Sequence, residues 1–251
     1  MIPRSHPRYH SLVQREKLVE GMREGIVAIQ GLIAHGRGEA FDYLLGEKSH
    51  DFALRAEKVA VAMMLLAKHA VISVNGNAAV LAGKELCELA RLVDAKVEVN
   101  VFHFSKERVE KIKRFLESFG CEVLAACDAE LEGLESNRRI VDSRGILIAD
   151  VVLVPLEDGD RCEVLKRHGK KVIAVDLNPL SRTARMADVT IVDNITRAAR
   201  NMIEFAKEMR SWSREELEKV VAGYDNGRTL ADAIRAINDY LMQIASRFEN
   251  K

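Results

Sequence analysis

Between residues 70 and 210 the chain changes its hydrophobic period repeatedly, from short β-branched runs to stretches with apolar residues at helical spacing and back. The runs are AVISVN (70–75), KVEVNVF (96–102), CEVLAA (121–126), ADVVLVPL (149–156), KKVIAVD (170–176) and VTIVDN (189–194). Helical stretches separate them at 76–94, 105–119, 161–168 and 196–210. Successive side chains of a strand point to opposite faces, so a run apolar at nearly every position must be covered on both sides. Strands joined through helices pair in parallel. The pattern predicts an α/β fold: a Rossmann-like, mostly parallel sheet with helices on both faces.

Helical additions are expected at both ends. Pro3 and Pro7 oppose a helix in the first nine residues, which read as an arm. Leu12, Leu18, Met22, Ile26, Ile29 and Ile33 then predict one long amphipathic helix over 11–34, with Ser11 as its N-cap. His35-Gly36-Arg37-Gly38-Glu39 should interrupt it, because two glycines in three residues admit backbone angles that other residues resist. A helix over 51–68 follows, with Ser49-His50-Asp51 reading as a helix-start box and not a catalytic triad. The tail predicts helices over 214–221 and 229–248, separated by Gly-Tyr-Asp-Asn-Gly. One domain, 1–251, is expected: arm and helices (1–68), α/β core (69–211) and carboxyl-terminal helices (212–251).

Composition narrows the partners. Lys and Arg together number 38, as do Asp and Glu, so no global field recruits nucleic acid or an anionic membrane, and anion binding must be local. The longest apolar runs fall well short of the ~20 residues that span a bilayer. Cys87, Cys121, Cys127 and Cys162 form no CxxC pair, and no signal-peptide pattern precedes them. A soluble, cytoplasmic protein with reduced thiols is expected. His69, His103 and His168 lack metal-ligand spacing, so no protein-held metal is expected. Gly36-x-Gly38 follows a helix and is succeeded by Phe41 where a dinucleotide fingerprint needs glycine. Lys84 is followed by Glu85, against a P-loop, and Asn137-Arg138-Arg139 is too short for a nucleic-acid patch.

In open α/β sheets ligands bind beyond the carboxyl ends of the strands. Three such ends stand out. At Asn75-Gly76-Asn77-Ala78 small side chains open a helix whose first N–H groups could hold a phosphate; a tight turn needs the same glycine. Asp176, after KVIAVD, could accept ribose hydroxyls, with Arg182 and Arg185 beside phosphates; a solvated loop with a capping Asp or Asn is the plainer reading. Asp193-Asn194 precedes a helix, and Asn194 alone reads as an N-cap. Arg4, His6, Arg8, Tyr9, His10 and Arg15, with His35 and Arg37, form a local basic cluster fit to cradle an anion, although Arg37 could equally be solvated at a helix end.

The segments IPRSHPRYHSLVQREKLVEGM (2–22), GLIAHGRGEAFDYLLGE (31–47) and DLNPLSRTA (176–184) closely resemble the archaeal phosphopantothenate synthetases, also called 4-phosphopantoate:β-alanine ligases, along the whole chain. The resemblance implies a homodimeric Rossmann-like enzyme of coenzyme A synthesis. It would join 4-phosphopantoate to β-alanine using ATP, with Mg2+, and release AMP and pyrophosphate, through a phosphopantoyl adenylate. It places ATP on Arg15, Arg37, Asp176, Leu177, Asn178, Arg182, Thr183, Asn194 and Ile195, with Arg37, Arg15 and Arg182 stabilising the charge that develops during transfer. Chemistry adds Asn75, Gly76, Ala78 and His35 as candidates to hold phosphopantoate. The residues alone also admit another nucleotide- or sugar-phosphate-binding enzyme, or a noncatalytic nucleotide sensor on the same fold.

Overall fold

In the computed structural model, which describes residues 2–249, three helices lead into the sheet: α1 (Tyr9–Arg23), α2 (Ile29–Leu44) and α3 (Asp51–Leu66). The core then runs β1 (Ala70–Val74), α4 (Gly76–Leu92), β2 (Lys96–Val99), α5 (Lys106–Glu117) and β3 (Val123–Leu124). A small antiparallel pair, β4 (Ala129–Glu130) and β5 (Ile140–Val141), precedes β6 (Val151–Pro155), α6 (Gly159–Arg167), β7 (Lys171–Val175), α7 (Arg182–Met186), β8 (Val189–Ile191) and α8 (Ile195–Met209). Helices α9 (Arg214–Ala222) and α10 (Asn226–Glu249) complete the described chain. No described helix is long and apolar enough to cross a membrane.

The six long-range strands pair in parallel in the order β3-β2-β1-β6-β7-β8. Counted within the sheet this is third, second, first, fourth, fifth, sixth, the doubly wound order, and the expected α/β fold is found. The period of two divides the core. Ile72, Val74, Leu153, Ile173 and Val175 pack with α3, α4, α5 and α8, while Val71, Val152, Val154, Val172 and Ala174 pack on the opposite face with α6.

The amino-terminal helices differ from expectation. The single helix predicted over 11–34 is two, because the chain turns at Gly25 (φ 79°), where the N–H groups of Ile26 and Val27 fold back on the Gly21 carbonyl. Ile26 and Val27 are buried as a connector, which kept the apolar spacing alive through a real break. Ile29 and Ile33, read as buried-face residues, are 65% and 68% exposed. The predicted interruption at residues 35–39 lies inside α2, so neither Gly36 nor Gly38 has a positive φ. Helix α1 starts before Ser11, whose hydroxyl donates to the Arg8 carbonyl instead of capping. Helix α3 starts as expected, but the Ser49 hydroxyl donates to Asp193 and makes no cap. Helix α10 begins three residues before the predicted Thr229 and includes Gly227. The β4–β5 pair and α7 were not foreseen.

Candidate active site at the switch point

The chain leaves β1 toward β2 and β3, then crosses back to β6 on the other side, so the loops after β1 and β6 diverge and open a crevice. A cavity of about 710 Å3 occupies it. Its floor is made by the strand ends: Asn75 and Gly76 after β1, Val101 to His103 after β2, Leu156 to Asp158 after β6, Asp176 to Asn178 after β7, and Asn194 and Ile195 before α8. Helix α2 forms the opposite wall with His35, Arg37, Gly38 and Glu39.

Each strand end is fixed locally. Asn75 caps α4 by accepting the Ala78 N–H at 3.0 Å, and its amide donates to the carbonyls of Pro155 and Leu156, joining the two diverging loops. A Cβ at Gly76 would overlap the Ile26 carbonyl oxygen and stand 3.2 Å from Val27 Cα, so only glycine lets the α1–α2 connector lie against this turn. Asp176 accepts the Asn178 N–H at 2.9 Å and the Ser181 hydroxyl at 2.5 Å, while Ser181 caps α7. Burial pushes the Asp176 carboxyl up from its ordinary value, partly offset by those hydrogen bonds and by the nearby Arg37 charge. Asn194 caps α8 and gives its amide to Asp42 and Gln14.

Ten of the thirteen sequence-predicted site residues line the cavity: His35, Arg37, Asn75, Gly76, Asp176, Leu177, Asn178, Thr183, Asn194 and Ile195. Three do not. Ala78 is fully buried, with its N–H taken by the Asn75 cap, so any phosphate-facing amides of this turn are those of Gly76 and Asn77. The Arg15 guanidinium forks onto the Glu39 carboxylate at 2.7–3.0 Å. Arg182 sits between two lining residues, Ser181 and Thr183, but turns outward to Asp160 and Glu163, with 54% of its side chain exposed. The expected cradle in the amino-terminal arm does not form at the cavity, since Arg8 donates to the Tyr43 hydroxyl and lies 3.8 Å from Glu39.

Arg37 makes no ion pair with any described residue. Burial lowers the His35 basicity, with Glu39 and Asp42 opposing and Arg15 reinforcing the shift. Glu39 is pushed up by burial but held below its ordinary value overall by Arg15 and Tyr43. Glu39 is therefore not an available acid at neutral pH.

Two further arginines line the cavity: Arg108, which the sequence did not single out, and Arg138, which it set aside as part of a patch too short for nucleic acid. Arg138 is buried and hydrogen-bonded to the Asn100 carbonyl, with Glu157 at 2.9 Å and Asp158 at 3.2 Å. Arg108, from the first turn of α5, donates to the His103 carbonyl at 2.7 Å and keeps a buried, unpartnered Nε. Both line the cavity beyond β2, a strand end whose residues carried no recognisable motif. Among the described residues no group of three His, Cys, Asp or Glu side chains is placed to hold a metal ion.

A doubly wound sheet with an acidic strand end, capped helix starts and three arginines lining one switch-point crevice defines a Rossmann-like α/β protein. The chain belongs to the phosphopantothenate/pantothenate synthetase family, whose profile matches residues 52–240. It is 57% identical to the 4-phosphopantoate--beta-alanine ligase of Thermococcus kodakarensis, over 97% of this chain and 95% of that one. It is 55% identical to the ligase of the same name from Methanosarcina mazei, over 98% and 97%. The corresponding protein of Methanospirillum hungatei is 47% identical over 97% and 99%. Those alignments are too long to leave out α2 and Arg37, which lie ahead of the family profile.

Proposed function

We propose that this chain is an ATP-dependent ligase that joins 4-phosphopantoate to β-alanine, giving 4-phosphopantothenate, AMP and pyrophosphate. Relatives named 4-phosphopantoate--beta-alanine ligase, aligned over nearly the full chain, support the substrates. The observation that supports the reading is one cavity lined by the Asp176 strand end, by Arg37 on the α2 wall and by Arg108 and Arg138 beyond β2.

The nucleotide is assigned to the β7–β8 side. Asp176 takes ribose hydroxyls, the Asn178, Thr183, Asn194 and Ile195 segments border the base and sugar, and Arg37 faces the phosphates. Arg15 and Arg182 join when the triphosphate arrives. The partners of Arg182, Asp160 and Glu163, are exposed, and pairs of that kind contribute only about 0–1 kcal/mol, so a polyphosphate outcompetes them; Arg15 is half-exposed and must turn from a buried Glu39. The 4-phosphate of phosphopantoate is assigned to the β1–β2 side, with the Gly76 and Asn77 amides, Arg108 and Arg138. Arg138 has spent its charge on Glu157 and Asp158, leaving Arg108 as the stronger attraction.

A carboxylate at neutral pH is a poor electrophile and must first gain a leaving group. Its oxygen attacks the α-phosphorus, pyrophosphate departs, and the resulting phosphopantoyl adenylate is opened by the deprotonated β-alanine amine with loss of AMP. Arg37, Arg15 and Arg182 stabilise the charge on the transferring phosphate, and alignment supplies much of the rate. Mg2+ is assigned to the nucleotide phosphates and water, as this ion commonly binds. Two copies are proposed to pair, with Ile234, Leu241 and Met242 exposed along α10 as an apolar stripe; size-exclusion chromatography tests this.

Incubation with ATP, 4-phosphopantoate and β-alanine should form AMP only when both acid and amine are present, and 4-phosphopantoate alone should support exchange of labelled pyrophosphate into ATP. ADP formation would point to an acyl phosphate. Nucleotide turnover independent of both substrates would overturn the reading.

A further inference from the structure

The cavity has two walls on different parts of the fold, and Arg37 is carried by the wall that lies outside the sheet. Asp42 follows Arg37 by five positions on α2, a rotation of about 140° around the helix axis, so it faces inward while Arg37 faces the cavity. It is 5% exposed. Its carboxylate accepts the Asn194 amide at 2.9 Å and a fork from Arg197, at 2.6 Å from Nη2 and 3.2 Å from Nη1. The same guanidinium reaches Asp193 from Nε at 2.8 Å and Nη2 at 2.6 Å. Asp193 and Asn194 are the strand end that closes the nucleotide side of the cavity.

Apolar contacts join α8 to the core through Ala198, Ala199 and Met202, yet the contact from its first turn to α2 is ionic. Buried ion pairs add little stability over apolar packing, because desolvation offsets the attraction. They do fix orientation, since a forked guanidinium accepts a carboxylate in few geometries. Of the other ties of α2, Glu39 runs to Arg15 on α1 and the Gly31 carbonyl accepts from Asn77 on α4, while Phe41 packs on the apolar cluster of Leu177, Val192 and Leu230 without fixing the rotation of the helix.

We propose that Asp42 is a positioning residue, which through Arg197 and Asn194 holds α2, and with it Arg37, in register with the strand ends that receive the nucleotide. This rests on the assignment of the nucleotide to that side of the cavity. Two carboxylates share one guanidinium here, so removing the Asp42 charge leaves Arg197 matched one to one by Asp193, and the substitution Asp42→Asn should fold.

The test measures ATP binding by calorimetry, and KM for each substrate, in the full chain and in Asp42→Asn, Arg37→Ala and the double variant. Asp42→Asn should weaken ATP binding about tenfold. It should leave KM for 4-phosphopantoate within about twofold, and add less than about twofold once Arg37 is already alanine, because coupled residues give non-additive effects. Additive losses, equal rises in both KM values, or unchanged ATP affinity in a folded Asp42→Asn would overturn the proposal. Should that variant fail to fold, Arg197→Lys, which keeps the charge and loses the fork, carries the same expectations. Failure of the unaltered chain to bind ATP would strike at the site assignment itself, and this proposal with it.

Discussion

The two walls of the cavity are held by different physics. The strand-end wall is fixed by the sheet ladder and by helix caps at Asn75, Ser181 and Asn194, each accepting from the backbone of the helix that follows it. The α2 wall has exposed isoleucines on its outer side and is tied to the rest by the ion pairs of Glu39 and Asp42, by the Gly31 carbonyl accepting from the Asn77 side chain, and by Phe41 packed on an apolar cluster. A wall built on backbone is preorganised at no extra energetic expense, whereas one hung on ion pairs can be displaced by removing a single charge. The chemistry assigned to the crevice needs both.

The largest test of that contrast is Arg197→Ala, which leaves Asp42 and Asp193 buried without their shared cation. Loss of about 3–5 kcal/mol is expected in urea unfolding. A loss below about 1 kcal/mol would mean that the α2 wall stands without this tie. On the strand-end side, Gly76→Ala should cost about 1–3 kcal/mol and lower activity, since the added methyl overlaps the Ile26 carbonyl and backbone must move. Arg37→Ala should lower kcat/KM at least about tenfold, or ~1.4 kcal/mol, with the unfolding midpoint unchanged, because the side chain makes no ion pair among the described residues.

The pH dependence of stability probes the ion cluster behind α2. Glu57 is fully buried on α3, and burial, aided by the Asp193 charge, raises its carboxyl to about 9 from an ordinary 4.5. The folded chain keeps a proton that the unfolded chain releases across that interval. Stability should therefore fall as pH rises from about 5 to 9, by on the order of 1 kcal/mol per pH unit, and Glu57→Gln should flatten the slope. A slope unchanged by the substitution would remove Glu57 from the account. The smallest effect is expected at Gly36→Ala, where a Cβ meets nothing within 4 Å and the helix gains about 0.5–1 kcal/mol, read as a higher midpoint.

The same contrast decides what could be read from the sequence. Strand ends announce themselves by a change of period, so Asn75, Asp176 and Asn194 were found at the cavity. Helix α2 was misread because the two glycines around Arg37 signal a break that neighbouring helix formers and packing override; a Cβ at Gly38 would stand 3.7 Å from Leu177. The real break at Gly25 was hidden because Ile26, buried in the connector, fell on the helical spacing by coincidence. Arg108 and Arg138 come from a charged helix face and a short turn, and nothing local marks their convergence. The end of β2 could have pointed to them, by the rule for strand ends that singled out Asn75, Asp176 and Asn194 but was not extended to KVEVNVF. The ion pairs of Arg15 and Arg182 were invisible because their partners lie 24 and at least 19 residues away.

Arg138 reaches the crevice from the excursion between β3 and β6, whose β4–β5 pair holds its base. One guanidinium thus bolts Asn100, beyond β2, to Glu157 and Asp158, beyond β6. Those two loops belong to the two halves of the sheet that separate at the switch point, and Arg138 spans the gap between them. The crevice is therefore a gauge whose width at this point is set by one side chain.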